Sequence, residues 1–332
     1  MSKYVFIIGA EHQFSQVIAS IQHFKISHDD VVLFIEESND KNELTQQIIK
    51  EYDLHKVFSF LNWNFNDLLG RKSKIHEFIK LCKNEIGSIN EPIDFFVSHY
   101  SDDSTFLVLS LFNVRKFFVM DEGSASYNVV LRRQKKEIIL RLKLLIKSAL
   151  YGIKLTRSKS IIYFTRFNLK INKKDNLEIY SVEKTANSFT SFNNKQVHFL
   201  GSSVVEVNIM TERNYMMYLE RVVILNKGKK LIYFKHRKEG SAKLEKIKNI
   251  GFIMEDIKVT YENYYSLNDS QAGIICSFFT TSVLMNISNN FINIPKLVIY
   301  TFPVDKLTKE RKVFTTILQT LKEDQNISII NI

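Results

Sequence analysis

The chain has 332 residues, 45% of them hydrophobic, with 26 Phe, 14 Tyr and a formal net charge of +11 at pH 7. That length suggests two domains, and the apolar content suffices for two packed cores. Three prolines and ten glycines argue against long low-complexity segments. The two cysteines, Cys82 and Cys276, sit in separate apolar stretches, which argues against a disulfide framework or structural zinc site and fits a reducing cytoplasm.

The first apolar segment, 4–10 after Lys3, is too short for a signal-sequence core and reads as a strand. No apolar run reaches the ~18 residues of a membrane-crossing helix. Along the first half, strands are expected at 4–9, 31–35, 57–59, 95–97 and 117–120. Helices are expected between them at about 12–24, 40–52, 71–86 and 103–112. Such alternation builds βαβ units and a parallel sheet with right-handed crossovers. An insertion carrying a basic helix is expected over about 124–165, and strands at 161–164 and 177–180 close this half. Residues 183–195, mostly polar and rich in Asn, Ser and Thr, read as a linker. The pattern then restarts with strand 197–200, the turn Gly201-Ser202-Ser203 and a helix at about 210–225. Strands 231–234 and near 250–254, a buried segment 273–285, a strand 298–300 and a last helix 306–322 complete the chain. The expected division is an N-terminal α/β domain over 1–190 and a C-terminal one over 191–332.

Several apolar strands run directly into polar clusters. Phe117-Phe118-Val119-Met120 meets Asp121-Glu122-Gly123-Ser124, placing two carboxylates where open α/β sheets bind ligands. The alternative is a turn that merely caps the strand. Leu231–Phe234 runs into Lys235, His236 and Arg237, and Phe252-Ile253-Met254 into Glu255. The apolar stretch from Ile274 ends at Thr280, Thr281 and Ser282. The strand at 197–200 ends in Gly201-Ser202-Ser203 and leads toward a helix, a composition suited to an anion-binding turn.

In this order the junctions resemble bacterial sialyltransferases of the lipooligosaccharide and capsule-polymer type. Those carry an acidic-acidic-Gly motif in one half of the chain and His-Pro, usually followed by a basic residue, in the other. Asp121-Glu122-Gly123 resembles the first motif. His236 resembles the second, with Arg237 where the family has proline, a change that relaxes the turn and removes no catalytic atom. Glu255 looks like the Glu that holds the nucleotide. Thr280-Thr281, or Thr281-Ser282 one residue on, looks like the hydroxyl pair on its phosphate.

The resemblance spans Asp121 to Ser282 and implies a GT-B glycosyltransferase: two facing Rossmann-like domains with a cleft between them. It implies an N-terminal domain for the glycan acceptor and a C-terminal domain for the nucleotide-sugar donor, CMP-sialic acid. The transfer would be inverting and independent of metal or cofactor. One of Asp121 and Glu122 would take the acceptor proton, and adjacent residues at a strand end face opposite ways, so only one can do so. His236, flanked by Lys235 and Arg237, would stabilise or protonate the departing phosphate. Competing readings are a GT-B transferase for another nucleotide sugar, and a non-catalytic glycan- or nucleic-acid-binding relative.

Other sites are disfavoured. Gly-x-Gly-x-x-Gly, the P-loop pattern and Gly-x-Ser-x-Gly are absent from the sequence. The remaining histidines show no metal-ligand spacing, although His12 and His99-Tyr100 follow strands and could contact the acceptor. Between Arg132 and Lys159 lie ten basic residues against one acid, Glu137, with Ile138, Leu142, Leu145, Ile146 and Leu150 at helical spacing. That helix suits either an anionic membrane surface at the cytoplasmic face or plain packing of its stripe on the core. Without interleaved aromatics, no nucleic-acid partner is expected.

Overall fold

The computed structural model describes residues 3–9, 13–37, 49–61, 68–121, 125–135, 137–181, 191–257, 259–267, 271–278 and 282–332. The chain divides into two compact units, Met1–Ser181 and Val182–Ile332.

The first unit is built on β1 (Lys3–Ile8), β2 (Val31–Glu37), β3 (Val57–Leu61), β4 (Ile93–Val97), β5 (Val114–Met120), β6 (Ile162–Thr165) and β7 (Asn176–Ile179). They form one seven-stranded sheet in the order β3-β2-β1-β4-β5-β6-β7, every neighbouring pair parallel. Its helices are α1 (Phe14–Phe24), α2 (Leu68–Ile86), α3 (Asp103–Leu111), α4 (Ala125–Lys135) and α5 (Glu137–Tyr151). Strand β4 is buried at every position, the unbroken burial of a parallel strand covered on both faces. The abundant phenylalanine builds a ladder across the sheet. Phe6 stacks on its register partner Phe96 at 4.5 Å, and Phe96 on Phe118 at 4.3 Å. Cross-strand aromatic pairs of this kind fix register as well as burying area.

The second unit holds β8 (Phe192–Leu200), β9 (Lys230–Phe234), β10 (Ile253–Glu255), β11 (Gln271–Phe278), β12 (Lys296–Thr301) and β13 (Ile327–Asn331). These form a six-stranded parallel sheet ordered β10-β9-β8-β11-β12-β13. Its helices are α6 (Glu212–Leu225), α7 (Ser241–Asn249), α8 (Tyr261–Leu267), α9 (Val283–Asn290) and α10 (Arg311–Leu321). In each unit the first strand lies inside the sheet and the chain winds outward both ways. The strand order therefore reverses between β1 and β4, and between β8 and β11, the points where such sheets bind ligands.

Some sequence expectations change. Residues 192–195, read as linker, belong to β8, and 182–190 lie outside the described residues. Helices α4 and α5, in the segment expected as an insertion, lie on the connection from β5 to its parallel sheet neighbour β6. Helices α7 and α8 and strand β13 were not anticipated, and α10 begins at Arg311 after a short 3-10 turn. Most of the helix expected at 40–52 falls outside the described residues.

Arg133 makes a bidentate ion pair with Asp175, both contacts at 2.7 Å, and Asp175 also accepts the Ile161 amide at 2.9 Å. Lys147 pairs with Asp103, which also accepts the Tyr151 hydroxyl. These two cations of the basic segment are therefore part of the unit's framework.

His198, near the end of β8, is 1% exposed. Its Nε2 accepts from the Gln196 amide at 2.8 Å and its Nδ1–H meets the Tyr261 hydroxyl at 2.7 Å, a neutral arrangement. Burial, and secondarily the charge of Lys230, lowers its pKa to about 4. Between pH ~6.5 and 4 the unfolded chain binds a proton there that the folded chain refuses, so stability falls as pH falls through that window. At pH 5 the loss attributable to this residue is about 2 kcal/mol relative to neutral pH. Urea unfolding of wild type and His198→Gln at pH 7.5 and 5 checks it: the pH-dependent drop should shrink by about that amount in the variant.

Candidate active site

Parallel strands place all their carboxyl ends on one edge. In the second unit, Leu200 is in register with Phe234 and Ser277, and Phe234 with Glu255. The edge thus gathers Gly201 and Ser202 after β8, Lys235, His236 and Arg237 after β9, and Glu255 at the end of β10. Ser282 heads α9 beyond β11 and makes no side-chain cap bond. Thr280 and Thr281 lie outside the described residues. Lys235 and Asp256 form a surface pair at 2.9 Å, a geometry worth little in stability.

The loop after β9 is held by a residue that the sequence did not flag. The Glu239 Oε2 accepts the His236 amide at 2.7 Å, and the Glu239 amide donates to the His236 carbonyl at 2.9 Å. Its Oε1 accepts the Tyr233 hydroxyl at 2.7 Å and the Lys243 ammonium at 2.7 Å. Burial raises the Glu239 pKa while Lys243 and the hydrogen bonds oppose that rise. Lys243, only 3% exposed, also donates to the Ser202 carbonyl at 3.0 Å and lies 4.1 Å from the centre of the Tyr215 ring. A carboxylate anchored on a buried ammonium thus fixes the turn after β9 that carries His236 and Arg237.

His236 is half-buried between exposed Lys235 and Arg237. Its Nδ1 accepts the Lys238 amide at 3.2 Å, which leaves the proton of the neutral ring on Nε2. Burial, then Arg237 and Lys238, lowers its pKa below the ordinary histidine value. At neutral pH it presents a neutral N–H donor in a basic surrounding.

Gly201 does not offer its amide to an anion, because that N–H donates to the Phe234 carbonyl at 2.9 Å. Its part is steric. A Cβ there would stand 2.4 Å from Glu239 Oε2 and 2.6 Å from the Tyr233 hydroxyl. Gly201→Ala is expected to cost about 1–3 kcal/mol, the usual penalty for forcing atoms into a filled interior. The thermal midpoint should fall accordingly, and an unchanged midpoint would show that the Glu239 network yields without strain. Ser202 is itself buried.

In the first unit, Asp121 follows β5 and is 2% exposed, with Ser126 in the first turn of α4 donating to it at 2.7 Å. Tyr127 of the same turn is buried against Phe167. Glu122 lies outside the described residues, as does His12. His99 follows β4, its carbonyl accepting from Thr105 at 2.9 Å.

Three solved structures are similar to nearly the whole chain. A sialyltransferase from Photobacterium damselae, its GT-B domain, matches with a TM-score of 0.52 at 12% identity, covering all of both chains. A UDP-glucosyltransferase from Polygonum tinctorium matches with a TM-score of 0.52 at 9% identity, over 100% of this chain and 85% of that one. A protein assigned as a UDP-N-acetylglucosamine 2-epimerase from Listeria monocytogenes matches with a TM-score of 0.50 at 10% identity, over 90% and 79%. The chain has the GT-B fold.

No protein-family model matches the sequence. No curated protein matches it either. The GT-B fold carries transferases and an epimerase alike, so the activity has to be argued from the residues at the strand ends. In this GT-B chain the residues that the sequence reading missed are Glu239 and Lys243. The available signal was their spacing, Glu at i and Lys at i+4. Among the described residues no three His, Cys, Asp or Glu side chains group as a metal site.

Proposed function

We propose that the protein is an inverting, metal-independent glycosyltransferase that moves sialic acid from CMP-sialic acid to a bacterial surface glycan. The observation that carries this reading is His236, fixed by Glu239 at the carboxyl end of β9 with its Nε2–H unengaged by the loop and two cations beside it. A developing phosphate dianion is what such a donor suits. The second unit binds the donor: Lys235 and Arg237 meet the phosphate, Glu255 the nucleotide, and Thr280, Thr281 and Ser282 add hydroxyl and helix-terminus hydrogen bonds. Gly201 and Ser202 shape the floor beneath them.

The first unit binds the acceptor and supplies the base. The burial of Asp121 and its bond from Ser126 support a positioning role for that residue, and in this reading Glu122 removes the proton. The acceptor hydroxyl gives its proton to that carboxylate as its oxygen bonds to the anomeric carbon. The bond from that carbon to the phosphate oxygen breaks, and CMP leaves with the electron pair. One displacement inverts the centre.

A thermal-shift panel with CMP, UDP and GDP tests the donor assignment. Ligand at a hundredfold excess over Kd stabilises by about 2.7 kcal/mol. CMP alone should raise the midpoint. A rise with UDP or GDP instead would assign the site to another nucleotide sugar, and no rise with any would leave a GT-B relative without a donor site.

A further inference from the structure

Helix α5 carries two apolar faces. On one, Leu144 and Tyr151 are buried, and Lys147 and Tyr151 hold Asp103 of α3. On the other, Leu142, Leu145, Ile146 and Leu150 are 60%, 68%, 56% and 51% exposed. At about 100° per residue these four span an arc of roughly 140°, with Arg141 and Lys143 on its two borders and Leu144 and Tyr151 opposite. Arg141 and Lys143 are both exposed. From Ile138 to Lys174 the sequence holds ten Lys and Arg and no Asp or Glu. A contiguous apolar stripe of this kind is unusual on a surface and marks an interaction site.

We propose that this outer face of α5 lies in the headgroup region of an anionic lipid bilayer, the stripe inserted and the flanking cations on the lipid phosphates. The charge pattern chooses the occupant. A second copy apposed through the same face would set basic borders against basic borders, whereas an anionic surface complements them. The helix has 15 residues, about 22 Å of length, and among the described residues no helix is long and apolar enough to cross a membrane. It lies along the interface instead. The proposal is independent of the donor assignment and is read without measuring turnover.

Co-sedimentation of the full chain tests it, using vesicles of phosphatidylcholine alone and vesicles containing phosphatidylglycerol. Wild type should pellet with the anionic vesicles at low salt, bind less at high salt and bind the neutral vesicles weakly, because the attraction is screened over about 8–10 Å. Lys143→Gln should lower partitioning about fivefold, the equivalent of ~1 kcal/mol per cation. The double variant Leu145→Ser, Ile146→Ser should lower it at least about tenfold at either salt, with an unchanged thermal midpoint because both side chains are exposed. Equal pelleting by wild type and the double variant overturns the proposal, as does equal affinity for neutral and anionic vesicles. So does light scattering that shows a wild-type dimer dissociated by the double substitution without vesicle binding, which would give the stripe to a second copy.

Discussion

Glu122→Gln is expected to lower kcat by about 10²–10⁴, the range for removing a general base, with CMP binding and the thermal midpoint unchanged. The substitution keeps the size, exchanges one acceptor oxygen for an amide donor, and removes the charge and with it the basicity. Asp121 should behave differently, because it is 2% exposed and accepts the Ser126 hydroxyl at 2.7 Å. Asp121→Asn retains an oxygen for Ser126 and should cost little stability. Asp121→Ala removes that acceptor from a buried hydroxyl and should cost about 1–3 kcal/mol. Steady-state kinetics and melting curves of the three variants decide the matter. Full turnover in Glu122→Gln together with a crippled Asp121→Asn would move the base to Asp121. Near-normal turnover in both would remove the acidic pair from the mechanism.

His236→Ala is expected to lose roughly 10²-fold or more in kcat with CMP-sialic acid, as removal of a preorganised donor to developing charge usually does. The loss should depend on the leaving group. A donor that releases a more acidic group needs less stabilisation and should be partly restored. Because the ring pKa is lowered by burial and by Arg237 and Lys238, the wild type works with a neutral imidazole. Any change in kcat that tracks protonation of His236 should be centred below the ordinary histidine pKa. Equal impairment with both donors would make His236 a structural residue of the loop.

The inner strands of the first unit were legible because parallel strands covered on both faces are continuous apolar runs. The core of β4 and the last four residues of β5 stand out even without context. The strand ends that carry the candidate residues were legible for the same reason: Met120 to Asp121 and Phe234 to Lys235 are abrupt local changes of polarity. The loop chemistry was not. Glu239 matters through Tyr233, Lys243 and the His236 amide, and in sequence it is one more charge in a charged stretch. Helix α7 turns only Lys243 and Ile247 inward, too weak a periodicity to declare a helix. In α5 the charge was evident but the packed side was not, because both Leu144 with Tyr151 and the Leu142 stripe recur at helical spacing. The burial of Leu144 and Tyr151 and the pairing of Lys147 and Tyr151 with Asp103 choose between them.

Lys243 reaches from α7 to the Ser202 carbonyl while holding Glu239, which holds His236. The turns after β8 and β9 are thereby welded into a single mechanical body. Neither can swing open without exposing a buried cation, so amide exchange in the two turns should proceed as one cooperative event rather than two. Under the proposed donor assignment, altered nucleotide preference would be reached by concerted replacement in both turns, and a lone change in either would propagate into the other.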